Sequence, residues 1–152
     1  AIMHDVGKIS IPDAILSKPG RLTPEEFEIM KTHTTQGGQL LERIPQMMEL
    51  PFFTYAYDIA KYHHERWDGR GYPEGRKGDD IPLWAQIVSI ADVYDALVSP
   101  RCYKKAFSFE VALGMIVSGE CGVFNPNILA CFREIEGKLR TLYGSGPERL
   151  YE

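Results

Sequence analysis

The stretch LWAQIVSIADVYDALVSP, residues 83–100, decides the fold. Its apolar residues fill a helical spacing rather than a strand's strict alternation, so it reads as a central, buried helix. Two aspartates interrupt it. Asp92 and Asp95 fall in line with Gln86 and Ser89 at three-residue steps. That line is open to a plain reading as a wet stripe. A wet stripe ordinarily carries Lys or Glu, however, and the run from Pro82 to Pro100 contains neither. Aspartates on such a helix call for a positive charge from elsewhere, and a metal ion would supply it.

Outward from this helix the chain reads as helices joined by punctuated loops. In LTPEEFEIMKTH, Thr23 is the expected N-cap, Pro24 the first helical residue and Glu26 the partner that closes a capping box. Phe27, Met30 and His33 form its apolar face. A short helix is expected over TQGGQLLERI, ending before Pro45. A third covers PFFTYAYDIAKYHHERW, with Ala56, Ile59, Ala60 and His63 on one side. DGRGYPEGRKGDDIP, rich in Gly, Pro and Asp, must be loop. Ser108 caps a helix in SFEVALGMIVSG, and Asn125 with Pro126 opens the last one. No segment has a convincing strand period.

The chain has 152 residues, 44% of them hydrophobic and 25% charged, which fits one domain with a real core. Its net charge of -4 argues against a nucleic-acid polymer as partner. A small phosphorylated ligand needs only a few local cations. The cysteines, Cys102, Cys121 and Cys131, form no C-x-x-C pair and read as reduced thiols. No apolar run is long enough to span a bilayer.

The four histidines gather the chemistry. His4 stands beside Asp5, His33 lies on an apolar face, and His63 and His64 end a helix. Each alone has a bland reading as a core or cap residue. Together with Asp92 they make a set suited to divalent transition metals. Adjacent helical residues point about 100° apart, so His63 and His64 are expected to diverge and serve two ions. A carboxylate beside a ligating His, as in His4-Asp5, can bridge two ions. Ion pairs about 3.5–4 Å apart are a standard device for phosphate-ester hydrolysis. Lys8, one turn beyond His4, and Arg101, Lys104 and Lys105 after the Asp92 helix are available for phosphate oxygens. Without metals, a solvated basic cluster at a helix end is the better account of those last three.

HDVGKISIPDAILSKPGRLTPEEFEIMKTH (4–33), HHERWDGRGYPEG (63–75) and IPLWAQIVSIADVYDALVSPRCYKKA (81–106) together resemble the HD-GYP family, a branch of the HD-domain metal-dependent phosphohydrolases. GVFNP (122–126) is a looser match. The resemblance implies an all-α HD-domain bundle over residues 1–143, with the long Gly/Pro-rich loop after the His-His helix and a tail over 144–152. It implies a cytoplasmic bacterial phosphodiesterase that opens cyclic di-GMP to pGpG, GMP or both. The implied metal ligands are His4, Asp5, His33, His63, His64 and Asp92, with Asp5 bridging two or three Fe or Mn ions. Asp5 and Lys8 would be catalytic. Lys8, Arg101 and Lys104 would hold phosphate, Asp95 would stand behind the ligands, and Tyr72 of Gly71-Tyr72-Pro73 would be displayed by its loop as a substrate-binding residue, with a partner or the core as its other contacts.

The family also implies helices before the HD pair that supply a further ligand, so the chain is expected to be N-terminally truncated. A receiver or sensory domain is expected upstream, and GGDEF-type cyclases are expected partners for the Gly-Tyr-Pro loop. Two departures stand out: Gln86 replaces a usual Arg, and Asn125 a usual Asp. The rival readings are a non-catalytic module that binds a cyclic dinucleotide or a GGDEF partner, and a phosphohydrolase acting on another nucleotide.

Overall fold

A computed structural model describes residues 3–100 and 106–144. Among these residues eight α-helices run in order: α1 (Asp13–Leu16), α2 (Pro24–Lys31), α3 (His33–Glu42), α4 (Pro45–Met48), α5 (Phe53–Tyr62), α6 (Leu83–Val98), α7 (Phe109–Ser118) and α8 (Pro126–Gly144). Two 3-10 turns, Val6–Ser10 and Gly78–Asp80, precede α1 and α6. Among the described residues there is no strand, so the all-α expectation holds. The short elements α1, α4 and both 3-10 turns are too brief to leave a periodic signature.

The caps fall where the residue chemistry puts them. Thr23 and Glu26 form the capping box at α2, with Pro24 in its first turn. Ser108 accepts from the Val111 amide at α7, and Gly119 ends that helix at a φ of 81°. Asn125 Oδ1 accepts from the Asn127 amide at the start of α8.

His33 sits elsewhere than expected. It does not extend the apolar face of α2 but opens α3, because the helix breaks at Thr32. Four consecutive side chains make that break. Thr32 Oγ1 donates to the Ile29 carbonyl (2.7 Å), His33 Nδ1 to Met30 (2.7 Å), Thr34 Oγ1 to Lys31 (2.9 Å) and Thr35 Oγ1 to Thr32 (3.0 Å). These side chains take carbonyls at a helix end, as short polar residues do.

Helix α6 is the shared spine. One side packs with α7 and α8 around Ile90, Tyr94, Leu97, Ala112, Ile116 and Phe132. Its N-terminal end meets α5 through Ala85, Tyr62 and Ile81. The expectation of burial needs two corrections. Leu83, Trp84 and Ile87 are exposed, so the helix is not covered all round. The supposed wet line is dry at one end, where Gln86 and Ser89 are buried. Gln86 Nε2 donates to the Ile81 carbonyl (2.7 Å), and its Oε1 accepts from Asn125 Nδ2 (2.8 Å). The two departures from the HD-GYP pattern therefore touch each other and form a neutral amide pair between α6 and the cap of α8.

A second bundle sets α3 against α5 through Leu41, Ala56 and Ala60. The Val6–Ser10 turn lies directly on α3. The approach is backbone to backbone. A Cβ on Gly7 would clash with the His33 carbonyl and stand 2.5 Å from the Gly37 nitrogen. No side chain can occupy that position without moving α3. Gly7→Ala is expected to lower stability by about 2–3 kcal/mol in urea unfolding of the metal-free protein. Gly37→Ala, whose Cβ would meet its nearest neighbour at 3.4 Å, is the control and should cost far less.

Candidate metal centre

Gly7 determines where His4 and Asp5 go. With the turn pressed onto α3, the Asp5 carboxylate faces the start of that helix. Its Oδ1 lies 3.5 Å from His33 Nε2 and 3.9 Å from His63 Nε2. Its Oδ2 lies 3.3 Å from His4 Nε2 and 2.6 Å from Lys8 Nζ. His4 Nε2 is also 3.6 Å from Asp92 Oδ1, so α6 delivers its aspartate to the same place. Five of the six expected ligand side chains thus converge, and the two oxygens of Asp5 face different groups.

His63 and His64 do not diverge. Helix α5 ends at Tyr62, His63 is its C-cap, and His64 lies in the following turn. Beyond the helix end the 100° rule no longer applies. Their ring centroids are 4.1 Å apart, and the ligand atoms of His33, His63 and His64 lie within 4.8 Å of one another. The doubled histidine is therefore a converging pair, and with His33 it forms a three-histidine cluster suited to a metal ion.

The protonation of this cluster follows from its hydrogen bonds. The Nδ1 atoms of His33 and His63 face the carbonyls of Met30 (2.7 Å) and Ile59 (2.8 Å). A carbonyl only accepts, so each Nδ1 carries the proton and each Nε2 offers a lone pair. Both Nε2 atoms are buried and have no hydrogen-bond partner. Backbone-oriented imidazoles of this kind are what metal sites use, and the donor set fits a metal. Burial pushes the imidazoles down, His63 to about 4 and His33 and His64 also below the ordinary value, so all three are neutral at pH 7. Burial alone would raise the Asp5 carboxyl. Hydrogen bonds from His4 and Lys8 outweigh it and hold Asp5 well below the usual carboxylate range.

Two residues that the sequence reading passed over hold the cluster together. Arg66 Nη1 donates to the carbonyls of His63 (3.4 Å) and Glu65 (3.0 Å) and to Ser89 Oγ (2.6 Å), tying the His-His turn to α6. Glu65, buried, accepts from the Glu74 amide (2.8 Å) and the Arg76 amide (3.0 Å) with its two oxygens. The loop is thereby folded back on the turn. Gly71 allows the closest approach: a Cβ there would run into the backbone of Glu65 and Arg66 and stand 2.5 Å from the His64 carbonyl. In the sequence, the signal for Glu65 is an acid directly after two histidines.

This folding back sets Tyr72, half-buried, against the cluster. Its ring stacks on His64, with centroids 4.7 Å apart and planes at 23°. The Asp95 carboxylate, among the described residues, accepts from Tyr143 (2.7 Å) and Ser99 (3.2 Å). Arg101, Lys104 and Lys105, like Cys102 and most of the 144–152 tail, lie outside the described residues.

Residues 1–128 match the HD domain family. This chain belongs to that family. It is an HD-GYP domain, similar over 139 residues, at 46% identity, to a "Cyclic di-GMP phosphodiesterase" of Vibrio cholerae serotype O1. A Thermotoga maritima protein with that same description is 46% identical over 143 residues. A "3'3'-cGAMP-specific phosphodiesterase 2" of Vibrio cholerae is 40% identical over 146. These alignments take in 91%, 94% and 96% of the chain. The HD-GYP domain spans only 28%, 38% and 27% of those relatives' lengths. No helix among the described residues is long and apolar enough to cross a membrane.

Two measurements check this site. Glu65→Gln replaces one acceptor oxygen by an NH2 group and leaves a buried amide unpaired, at a cost of about 1–3 kcal/mol. The amide of Glu74 or Arg76 should then exchange faster, and unchanged exchange at both would refute the anchoring role. The second measurement is of pH. His63 is protonated near 6.5 in the unfolded chain and only near 4 in the folded one, so between those values the unfolded state holds more protons. Stability of the metal-free protein should be full above about pH 6.5 and fall as pH drops toward 4, with His33 acting in the same direction. A flat urea midpoint across that window would contradict it.

Proposed function

We propose that this HD-GYP domain is the catalytic unit of a metal-dependent phosphodiesterase that opens cyclic di-GMP to pGpG, GMP or both. The observation that carries the reading is the pair of buried, partnerless Nε2 atoms on His33 and His63, aimed at one oxygen of Asp5. Buried acceptors without partners are costly, and a cation that takes both lone pairs removes the cost.

The proposed ligands are His4, Asp5, His33, His63, His64 and Asp92, holding two or three divalent ions, iron or manganese. Bound there, the ions would neutralise charge on the phosphoryl oxygens and activate water at neutral pH. The residues of the chain supply orientation and charge. Asp5 divides its oxygens between the His33–His63 side and the His4 side, which suits a bridging carboxylate. Asp5 is ionised throughout the physiological range, so it meets a cation as a carboxylate. Lys8 is held by Asp5 and half-exposed, with ammonium hydrogens left for a non-bridging phosphate oxygen. Arg101 and Lys104 are proposed to extend that phosphate contact. Asp95, bonded to Tyr143, is proposed to act only by steadying α6 behind Asp92. The same resemblance proposes a receiver or sensory domain upstream and a GGDEF partner at the Gly-Tyr-Pro loop. Similarity to a 3'3'-cGAMP-specific relative favours cyclic GMP-AMP as a second substrate.

The metal-loaded protein is expected to linearise cyclic di-GMP, to lose the activity on chelation and to regain it with Mn²⁺. Asp5→Ala and His33→Ala should each lower kcat by roughly a hundredfold or more. Turnover by Asp5→Ala at the parent rate would sink the reading.

A further inference from the structure

One groove beside the metal centre is used by nothing described above. It lies where α2 gives way to α3, against the Gly-Tyr-Pro turn, and is lined by Glu28, Lys31, Thr32, Thr35, Tyr72 and Pro73. Tyr72 joins it to the cluster, since the ring that forms one wall stacks on His64 at 4.7 Å. A phosphodiester at the histidines would therefore have this groove alongside, next to the cluster.

The polar chemistry of the groove is one-sided. Thr32 and Thr35 have spent their hydroxyl hydrogens on the carbonyls of Ile29 and Thr32, so only lone pairs face outward. Glu28 adds a carboxylate. Among the described residues the cation of the lining is Lys31, 2.7 Å from Glu28 Oε1 and 5.8 Å from the centre of the Tyr72 ring. The groove thus offers three acceptors, one ammonium and an aromatic wall.

We propose that this groove is a nucleobase subsite and that Glu28 and Lys31 select guanine over adenine. The assignment rests on the phosphodiesterase reading and deepens it. Guanine presents N1–H and N2–H₂ on its Watson–Crick edge, donors that match Glu28 and the threonine oxygens. Its O6 and N7 acceptors match Lys31. Adenine keeps N1 as an acceptor where guanine donates, and that nitrogen would face the carboxylate. One guanine per substrate satisfies the groove. Cyclic di-GMP and cyclic GMP-AMP would both fit, which accounts for relatives with either substrate in their descriptions, while cyclic di-AMP would not.

The test compares KM values of the metal-loaded protein for cyclic di-GMP, cyclic GMP-AMP and cyclic di-AMP before and after Glu28→Gln. The parent should favour both guanine-containing substrates over cyclic di-AMP by about tenfold or more. Glu28→Gln should shrink that ratio about tenfold, because an amide pairs well with adenine. A purely structural effect of the substitution would move all three KM values together and leave the ratio, which overturns the subsite. A parent protein that cleaves cyclic di-GMP and cyclic di-AMP equally well also overturns the subsite, but leaves the phosphodiesterase reading standing. A protein that binds metal yet cleaves none of the three overturns both.

Discussion

Gly7 touching α3 backbone to backbone is the contact from which the site follows. His4 and Asp5 sit three and two residues before it, on a turn with little other structure to fix them. Only because no Cβ intervenes does that turn lie flat against His33 and Gly37. Asp5 then faces two buried imidazoles, and His4 reaches toward Asp92 on α6. Gly71 repeats the device on the opposite side, where it lets the loop close over the His-His turn and brings Tyr72 onto His64. Two positions without side chains thus set the spacing of six functional ones.

The site is built from groups at the ends of elements. His33 opens a helix, His63 caps one, and His64 follows in a turn. Residues there have backbone carbonyls nearby that no helical amide fully claims, and the Nδ1 atoms use them. Each such bond fixes a tautomer and aims a lone pair. Arg66 and Glu65, adjacent to the pair, hold the turn and the loop in register with α6. Where α6 meets α8, a neutral amide pair, Gln86 with Asn125, stands in the positions where the family pattern has an Arg and an Asp. Hydrogen bonding survives that exchange without the desolvation cost of two buried charges.

Much of this was legible in the residues. Thr23, Glu26, Ser108 and Asn125 marked helix starts, and each caps as its chemistry requires. The apolar spacing of residues 83–98 gave α6, and the absence of Lys and Glu from it flagged Asp92. Legibility failed where the local rule was the wrong one. The 100° step between His63 and His64 assumed a helix that had already ended. His33 looks like part of α2 until the hydroxyls of the run Thr32-His33-Thr34-Thr35 are counted as competitors for carbonyls. The direction in which Tyr72 faces is not legible, because loop composition says nothing about which way a loop folds.

What the sequence determined by itself is therefore the inventory: an all-helical domain, the donor atoms, and the family to which the pattern belongs. Those are properties of residue type and spacing along one chain. The tertiary structure decided which donors meet. It turned adjacent histidines from diverging to converging, gave each oxygen of Asp5 its own set of neighbours, and buried two imidazole nitrogens without partners. Such outcomes depend on contacts between residues far apart in the chain, above all the approach of Gly7 to α3, and no local periodicity encodes them.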